Sequence, residues 1–173
     1  MLKDLKGKQE FQIRVAEEQD TELILKFIKE LADYEKLLSE VVATEDILKD
    51  SLFKRKMAEV LIGELNGKPI GFALFFHNFS TFLGKPGIYL EDLYVKPAFR
   101  GKGFGRQMLG YLANLCQERD CGRLEWWCLD WNKTSIDFYK KIGAESMDEW
   151  TTFRVSGENL KKLSNESIKL QSK

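Results

Sequence analysis

The sequence predicts an α/β domain built around a mixed sheet. Three observations predict it. Short segments of alternating or continuous apolar residues, bounded by Gly, Pro and Asn, recur along the chain as strands do. Between them lie longer stretches with apolar residues three and four apart, as on one face of a helix. The predicted order is strand, helix, helix, three strands, helix, strand, helix, strand, which suits a mixed sheet.

Residues 1–10 read as a flexible leader, 11–156 as a single domain and 157–173 as a Lys-rich tail. Phe11, Ile13 and Val15 alternate with Gln12 and Arg14, a first strand. Asp20 can cap the helix that follows, whose stripe runs through Leu23, Ile24, Phe27, Ile28, Leu31 and Leu38. Its last turn carries Tyr34 and Glu35, either a solvated end or a pair aimed into a cleft. Thr44 caps a shorter helix with Ile47, Leu48 and Leu52. Lys54, Arg55 and Lys56 read as a solvated loop. Residues 58–65 and 69–79 read as two strands joined at Asn66-Gly67, a dipeptide suited to a type I′ hairpin turn. The second is apolar on both faces, hence central, and holds His77, for which a partly buried structural role is expected. Residues 79–87 read as a loop. Next come a strand through Val95 and a helix with Met108, Leu109, Leu112, Leu115 and Cys116, ending near Gly122. A strand at 123–129 leads to a helix capped by Asn132 and closed by Gly143. A last strand is expected at about 150–155.

Composition narrows the function. The chain has 173 residues, 43% hydrophobic and 31% charged, enough for one domain with a sizeable core. Lys+Arg and Asp+Glu both number 27, so bulk positive charge for nucleic-acid binding is absent. The first residues lack the apolar core of a signal peptide and no run is long enough to span a membrane, so a cytoplasmic protein is expected. Cys116, Cys121 and Cys128 contain no C-x-x-C pair and with His77 make no metal pattern; reduced structural thiols are expected.

The stretch most legible as chemistry is YLEDLYVKPAFRGKGFGR, residues 89–106. Alternation places Ile88, Leu90, Asp92 and Tyr94 on one face and Tyr89, Glu91, Leu93 and Val95 on the other. Pro97 ends the strand. Gly101, Gly103 and Gly105 then feed a helix N-terminus, an anion cradle of outward N–H groups to which Arg100, Lys102 and Arg106 add charge. The spacing fits neither a Walker loop nor a Rossmann turn.

The pattern Arg-x-x-Gly-x-Gly from Arg100 to Gly105, after a strand containing Glu-Asp, resembles the acetyl-CoA signature of the GNAT N-acetyltransferase superfamily. A second phrase agrees: Asn132, then Phe138, Tyr139, Gly143 and Ala144. Taken alone, Tyr139 reads as an amphipathic core tyrosine; beside the glycine signature a cofactor-site role is favoured. KELADYEK (residues 29–36), YLEDLYV (89–95) and LDWN (129–132) make the chain similar to the diamine acetyltransferases, the spermidine/spermine enzymes and their thialysine-acetylating relatives.

This resemblance implies a GNAT fold, a mixed, mostly antiparallel central sheet flanked by helices, with acetyl-CoA as cofactor, a small amine as partner and a homodimer. It implies that Leu93, Tyr94 and Val95 hold the pantetheine arm and thioester carbonyl through their backbones. Arg100, Gly101, Lys102, Gly103, Phe104, Gly105 and Arg106 would wrap the pyrophosphate, with Asn132, Ser135, Tyr139 and Lys141 also at the cofactor. Tyr34, Glu35, Glu91, Glu125, Trp126 and Glu149 would line the amine site. Phe82 stands where these relatives tend to carry Trp, so polyamine, thialysine and protein lysine stay open as substrates.

The chemistry assigns roles within that set. A lysine-like ammonium has a pKa of about 10.4, so roughly one molecule in a thousand is the free base at pH 7.4. A carboxylate both attracts the cation and takes its proton through water, and Glu91 is the favoured candidate; Asp92, on the opposite face, is expected to fix a loop. A backbone N–H at a bulge near residues 93–95 would meet the developing oxyanion. Tyr139 would protonate the leaving thiolate. No cysteine is placed as an acyl carrier, so direct attack in a ternary complex is expected. The alternatives are acetylation of protein lysine and an acyl-CoA sensor without turnover; a sensor would need neither Glu91 nor Tyr139.

Overall fold

The computed structural model describes residues 10–167. The expected leader therefore lies, but for Glu10, outside the described residues. The chain forms two compact units divided after Trp127.

The first unit holds a five-stranded sheet in the order β1-β2-β3-β4-β5. Its strands are β1 Phe11–Val15, β2 Glu59–Leu65, β3 Lys68–Ser80, β4 Lys85–Val95 and β5 Leu124–Trp126. The first four are antiparallel and β5 joins β4 in parallel. The reason lies in the connections: tight turns join β2 to β3 and β3 to β4, whereas a helix separates β4 from β5 and returns the chain to the same end. At the β2–β3 turn, Asn66 and Gly67 have φ of 51° and 73°, the positive pair a type I′ turn requires.

Helices α1 (Thr21–Tyr34) and α3 (Phe104–Glu118) cover opposite faces. On one face Ile24, Leu25 and Phe27 bury against Val60, Ile62, Phe72 and Tyr94, with Phe27 stacked on Phe72 at 5.5 Å. On the other, Phe104 packs with Leu65, Ile70 and Phe11, its ring 4.7 Å from that of Phe11. Short α2 (Glu45–Leu48) is capped by Thr44, whose hydroxyl oxygen accepts from Ile47 N at 3.3 Å, and runs on as a π-helical turn to Lys54. Lys54, Arg55 and Lys56 are exposed, as expected.

Several expectations are corrected. Asp20 stands at the start of α1 but caps nothing there; its carboxylate takes a two-pronged pair from Arg14 (2.6 and 2.8 Å) and accepts from Glu17 N at 2.8 Å. The Arg14 guanidinium holds this buried carboxyl below its ordinary range. Leu38 lies beyond α1 and is exposed. The region read as a loop at 79–87 is mostly strand, because Ser80 pairs with Lys85 and leaves only four residues of turn. His77 is exposed rather than half-buried, 3.4 Å from an Arg119 nitrogen. Helix α3 ends on Asp120, at φ 51°, not on Gly122. The strand expected at 123–129 shrinks to the three residues of β5.

The alternation along β4 is also corrected. Asp92 pairs with Leu74 while Leu90 pairs with the next residue, Phe75, so Glu91 is an extra residue in a β-bulge. A bulge reverses the faces of everything beyond it. Asp92 and Tyr94 therefore lie on the α1 face, opposite Leu74 and Phe72, while Leu90, Leu93 and Val95 share the α3 face. Glu91 follows Leu90 onto the α1 face, not the face of Leu93, and the bulge falls short of residues 93–95.

The second unit contains α4 (Lys133–Lys141) and α5 (Gly157–Ser164). Asn132 caps α4, its side-chain oxygen accepting from Ser135 N at 3.3 Å, and Gly143 closes it at φ 90°. No strand forms at 150–155 among the described residues, and Trp150 and Phe153 are exposed there; the tail expected from 157 carries α5, and its residues 168–173 lie outside the described residues.

Candidate active site

The sheet is one-sided at its working end. β4 pairs with β5 only at Ile88, Tyr89 and Leu90, so from Glu91 to Val95 no strand pairs with it on that side among the described residues. Leu93, Tyr94 and Val95 lie on this stretch. Tyr94 also anchors it, its ring buried beside Phe27 at 6.0 Å and its hydroxyl pushed up to about 12 by burial and Glu30.

Beyond Val95 the chain makes a short turn and reaches the glycines. Gly101 and Gly103 have φ of 74° and 85°, a conformation L side chains rarely adopt, and a Cβ added at either would meet nothing within 4 Å. The crest of this loop is thus open, and Gly103 leads into the N-terminus of α3, whose first N–H groups have no helical acceptor. Exposed Lys102 and Arg106 flank it. The Phe104 side chain is core, which leaves its backbone for a ligand. Arg100 is turned back along β4. Its Nε donates to the Val95 carbonyl at 2.8 Å and its guanidinium lies over the Tyr34 ring at 4.3 Å and the Tyr94 ring at 5.5 Å.

Next to the bulge three carboxylates gather. Asp92 is half-buried and its pKa is raised to about 7, by burial first and then by the charges of Glu91 and Glu35. Burial also raises Glu35, at the end of α1. Glu91 is exposed. The structure thus brings together Glu35, Glu91 and Asp92, and through Arg100 it ties Tyr34 to the glycine loop. Asp92, expected on the face opposite Glu91, lies beside it instead, and a half-buried carboxyl tuned near neutrality is able to accept a proton. Glu125 and Trp126 lie on β5, where Glu125 is engaged by Arg123 Nε at 2.9 Å and Asn78 Nδ2 at 2.7 Å.

In the second unit, Tyr139 is half-buried with its ring 5.4 Å from that of Phe138. Its carbonyl accepts from Ala144 N at 3.0 Å, so the Phe-Tyr-x-x-x-Gly-Ala phrase is the helix and its closing turn. Lys141 and Glu149 are exposed. No cluster able to hold a metal occurs among the described residues.

The chain belongs to the acetyltransferase (GNAT) family, whose profile matches residues 24–144, and is an N-acetyltransferase. It is 37% identical to the thialysine N-epsilon-acetyltransferase of Bos taurus over 163 residues, 87% of this chain and 95% of that one. It is 29% identical to an L-ornithine N5-acetyltransferase of Arabidopsis thaliana, covering 90% of this chain and 89% of that one. Among solved structures, an integron cassette protein of Vibrio cholerae superposes with a TM-score of 0.75 at 27% identity, covering 90% of this chain and 98% of that one.

Proposed function

We propose that this N-acetyltransferase moves the acetyl group of acetyl-CoA to a primary amine of a small cationic substrate of the thialysine or diamine kind, by direct attack in a ternary complex. The observation that carries the substrate class is the carboxylate group of Glu35, Glu91 and Asp92 beside the one-sided stretch of β4. Three acids near one another attract an ammonium, and the one titrating near 7 can take its proton at physiological pH. The relatives named for thialysine and ornithine support an amine at the end of a short chain.

The residues present fit acetyl-CoA. A glycine crest with room above it, a helix N-terminus behind it and Lys102 and Arg106 beside it suit a pyrophosphate. The stretch with Leu93, Tyr94 and Val95 suits an extended amide-bearing arm laid along a strand. Acetyl-CoA supplies the activated acetyl thioester. The chain's residues do the rest: Glu91 and Glu35 draw the amine, Asp92 receives its proton, Tyr34, Glu125, Trp126 and Glu149 line its site, Asn132, Ser135 and Lys141 contact the cofactor, and Tyr139 gives a proton to the leaving thiolate. We assign the reaction to the segment 11–156, acting in the cytoplasm as a homodimer. No described helix is long and apolar enough to cross a membrane.

The test is a panel of amines with acetyl-CoA, following release of the free thiol. Thialysine, ornithine and short diamines should turn over well above lysine peptides. Preference for a peptide would move the substrate to protein lysine. Tight acetyl-CoA binding with no turnover on any amine would refute amine acetylation altogether.

A further inference from the structure

Helix α3 ends in a turn that folds two cysteines toward one another. Asp120 takes the left-handed conformation, Cys121 N donates to the Cys116 carbonyl at 2.8 Å and Asp120 N donates to the Gln117 carbonyl at 3.2 Å. These two bonds make a Schellman motif, in which the side chain just past the left-handed residue meets the one five positions earlier. That contact is commonly between two apolar side chains; here both are thiols. With standard bond lengths and the fixed angle at the carbonyl carbon, a 2.8 Å backbone bond leaves the two Cα atoms at most about 6.7 Å apart. A disulfide spans Cα separations of roughly 4.4–6.8 Å.

The two thiols are not equivalent. Cys116 is buried, its Sγ 3.8 Å from the Arg123 carbonyl that also accepts from Ile88 N at 3.0 Å. Burial, and then Cys121 beside it, push its thiol pKa up. Cys121 is half-exposed at the surface of the turn. An oxidant therefore reaches Cys121 first and Cys116 stands behind it to resolve the product. Cys128, seven residues on, shares no such turn with either.

We propose that Cys116 and Cys121 form a dithiol modification site that a hydroperoxide closes to an intramolecular disulfide. The Cys121 thiolate attacks the peroxide, the O–O bond breaks, and the sulfur becomes a sulfenic acid as one equivalent of alcohol or water leaves. The Cys116 sulfur then attacks that of Cys121, forming the S–S bond and releasing water with the thiol's proton. The two sulfurs lose two electrons and the peroxide gains them. The pair uses none of the residues assigned to acetyl transfer.

Trypsin supplies a direct test, because Arg119 separates the two cysteines into peptides 107–119 and 120–123. The full chain is treated with one molar equivalent of hydrogen peroxide, remaining thiols are alkylated, and the digest is run without reductant. The two peptides should appear linked, lighter than their sum by two hydrogens and separable by reduction, with Cys128 alkylated. In Cys121→Ser, Cys116 should remain reduced at the same dose. Cys121 driven to sulfinic acid with Cys116 still alkylated, linkage to Cys128 instead, or oxidation of Cys116 in the Cys121→Ser protein would each overturn the assignment.

Discussion

Replacing Asp92 with Asn keeps the side chain's size and removes its charge. The fold moves the Asp92 carboxyl from 3.8 to about 7, by burial and by the facing charges of Glu91 and Glu35. A raised carboxyl favours the protonated folded state. Its contribution to stability is therefore full below the unfolded value near 3.8 and is lost as pH rises through 7. The difference between the two values corresponds to about 4 kcal/mol at most. Asp92 is half-buried, and water screens part of this, so roughly 2 kcal/mol should be recovered by Asp92→Asn at pH 8. A chain of this length gains about 2–4 °C in Tm per kcal/mol, so the variant should melt some 4–8 °C higher at pH 8. At pH 5.5 the gain should be about half that, because less of the wild-type carboxyl's cost has yet developed. Activity should move the other way. Wild-type kcat/KM should rise with pH through about 7, and the variant should lose that limb and about a hundredfold or more in rate. Calorimetry at the two pH values and thiol-release kinetics from pH 5.5 to 9 read both effects. A variant that is less stable at pH 8, or that keeps the same limb, would refute the reasoning.

Three further outcomes are expected. Glu91→Gln should cut kcat/KM for cationic amines at neutral pH and recover in part at high pH; it should also shift the limb assigned to Asp92 to lower pH, since one raising charge is gone. If the loss instead shrinks with added salt and sits in KM, Glu91 only steers. Tyr139→Phe should lower kcat with little change in acetyl-CoA affinity, and an unaltered kcat with chemistry rate-limiting would dismiss its role as acid. Gly103→Val should weaken acetyl-CoA at least about tenfold while the fold survives, because a side chain would occupy the open crest at φ 85°; unchanged calorimetric affinity in a folded variant would remove the cradle.

Local signals were legible where they are local. Asn66-Gly67, the Thr44 and Asn132 caps and the apolar stripes of α1 and α3 each depend on a few neighbouring residues, and each formed as read. The glycine loop was legible for the same reason. What depended on pairing was not. Nothing in LEDLY announces that Glu91 is the unpaired residue, because a bulge is decided by the register against β3. Reading strict alternation through it placed Asp92 on the wrong face and hid its proximity to Glu35. Leu38 looked periodic with α1 but fell beyond the helix end. At 150–155 the alternating residues lacked a partner strand among the described residues, and β propensity without pairing makes no strand. The cation–π stack of Arg100 on Tyr34 joins residues 66 positions apart and left no trace in either segment.

The bulge gives this protein an unusual relation to insertions and deletions. Exchange of Glu91 for another residue alters a side chain and leaves the frame of the strand. Removal of position 91 would close the bulge into a regular ladder, with Leu90 still opposite Phe75 and Asp92 still opposite Leu74. Asp92 and Tyr94 would keep the α1 face and Val95 the α3 face, so both cores would survive and only the acid beside Asp92 would be lost. The extra residue thus sets two successive acids side by side on one face, where strict alternation would part them. A gap at position 91 should therefore cost the carboxylate cluster one acid and spare the packing on both faces of the sheet.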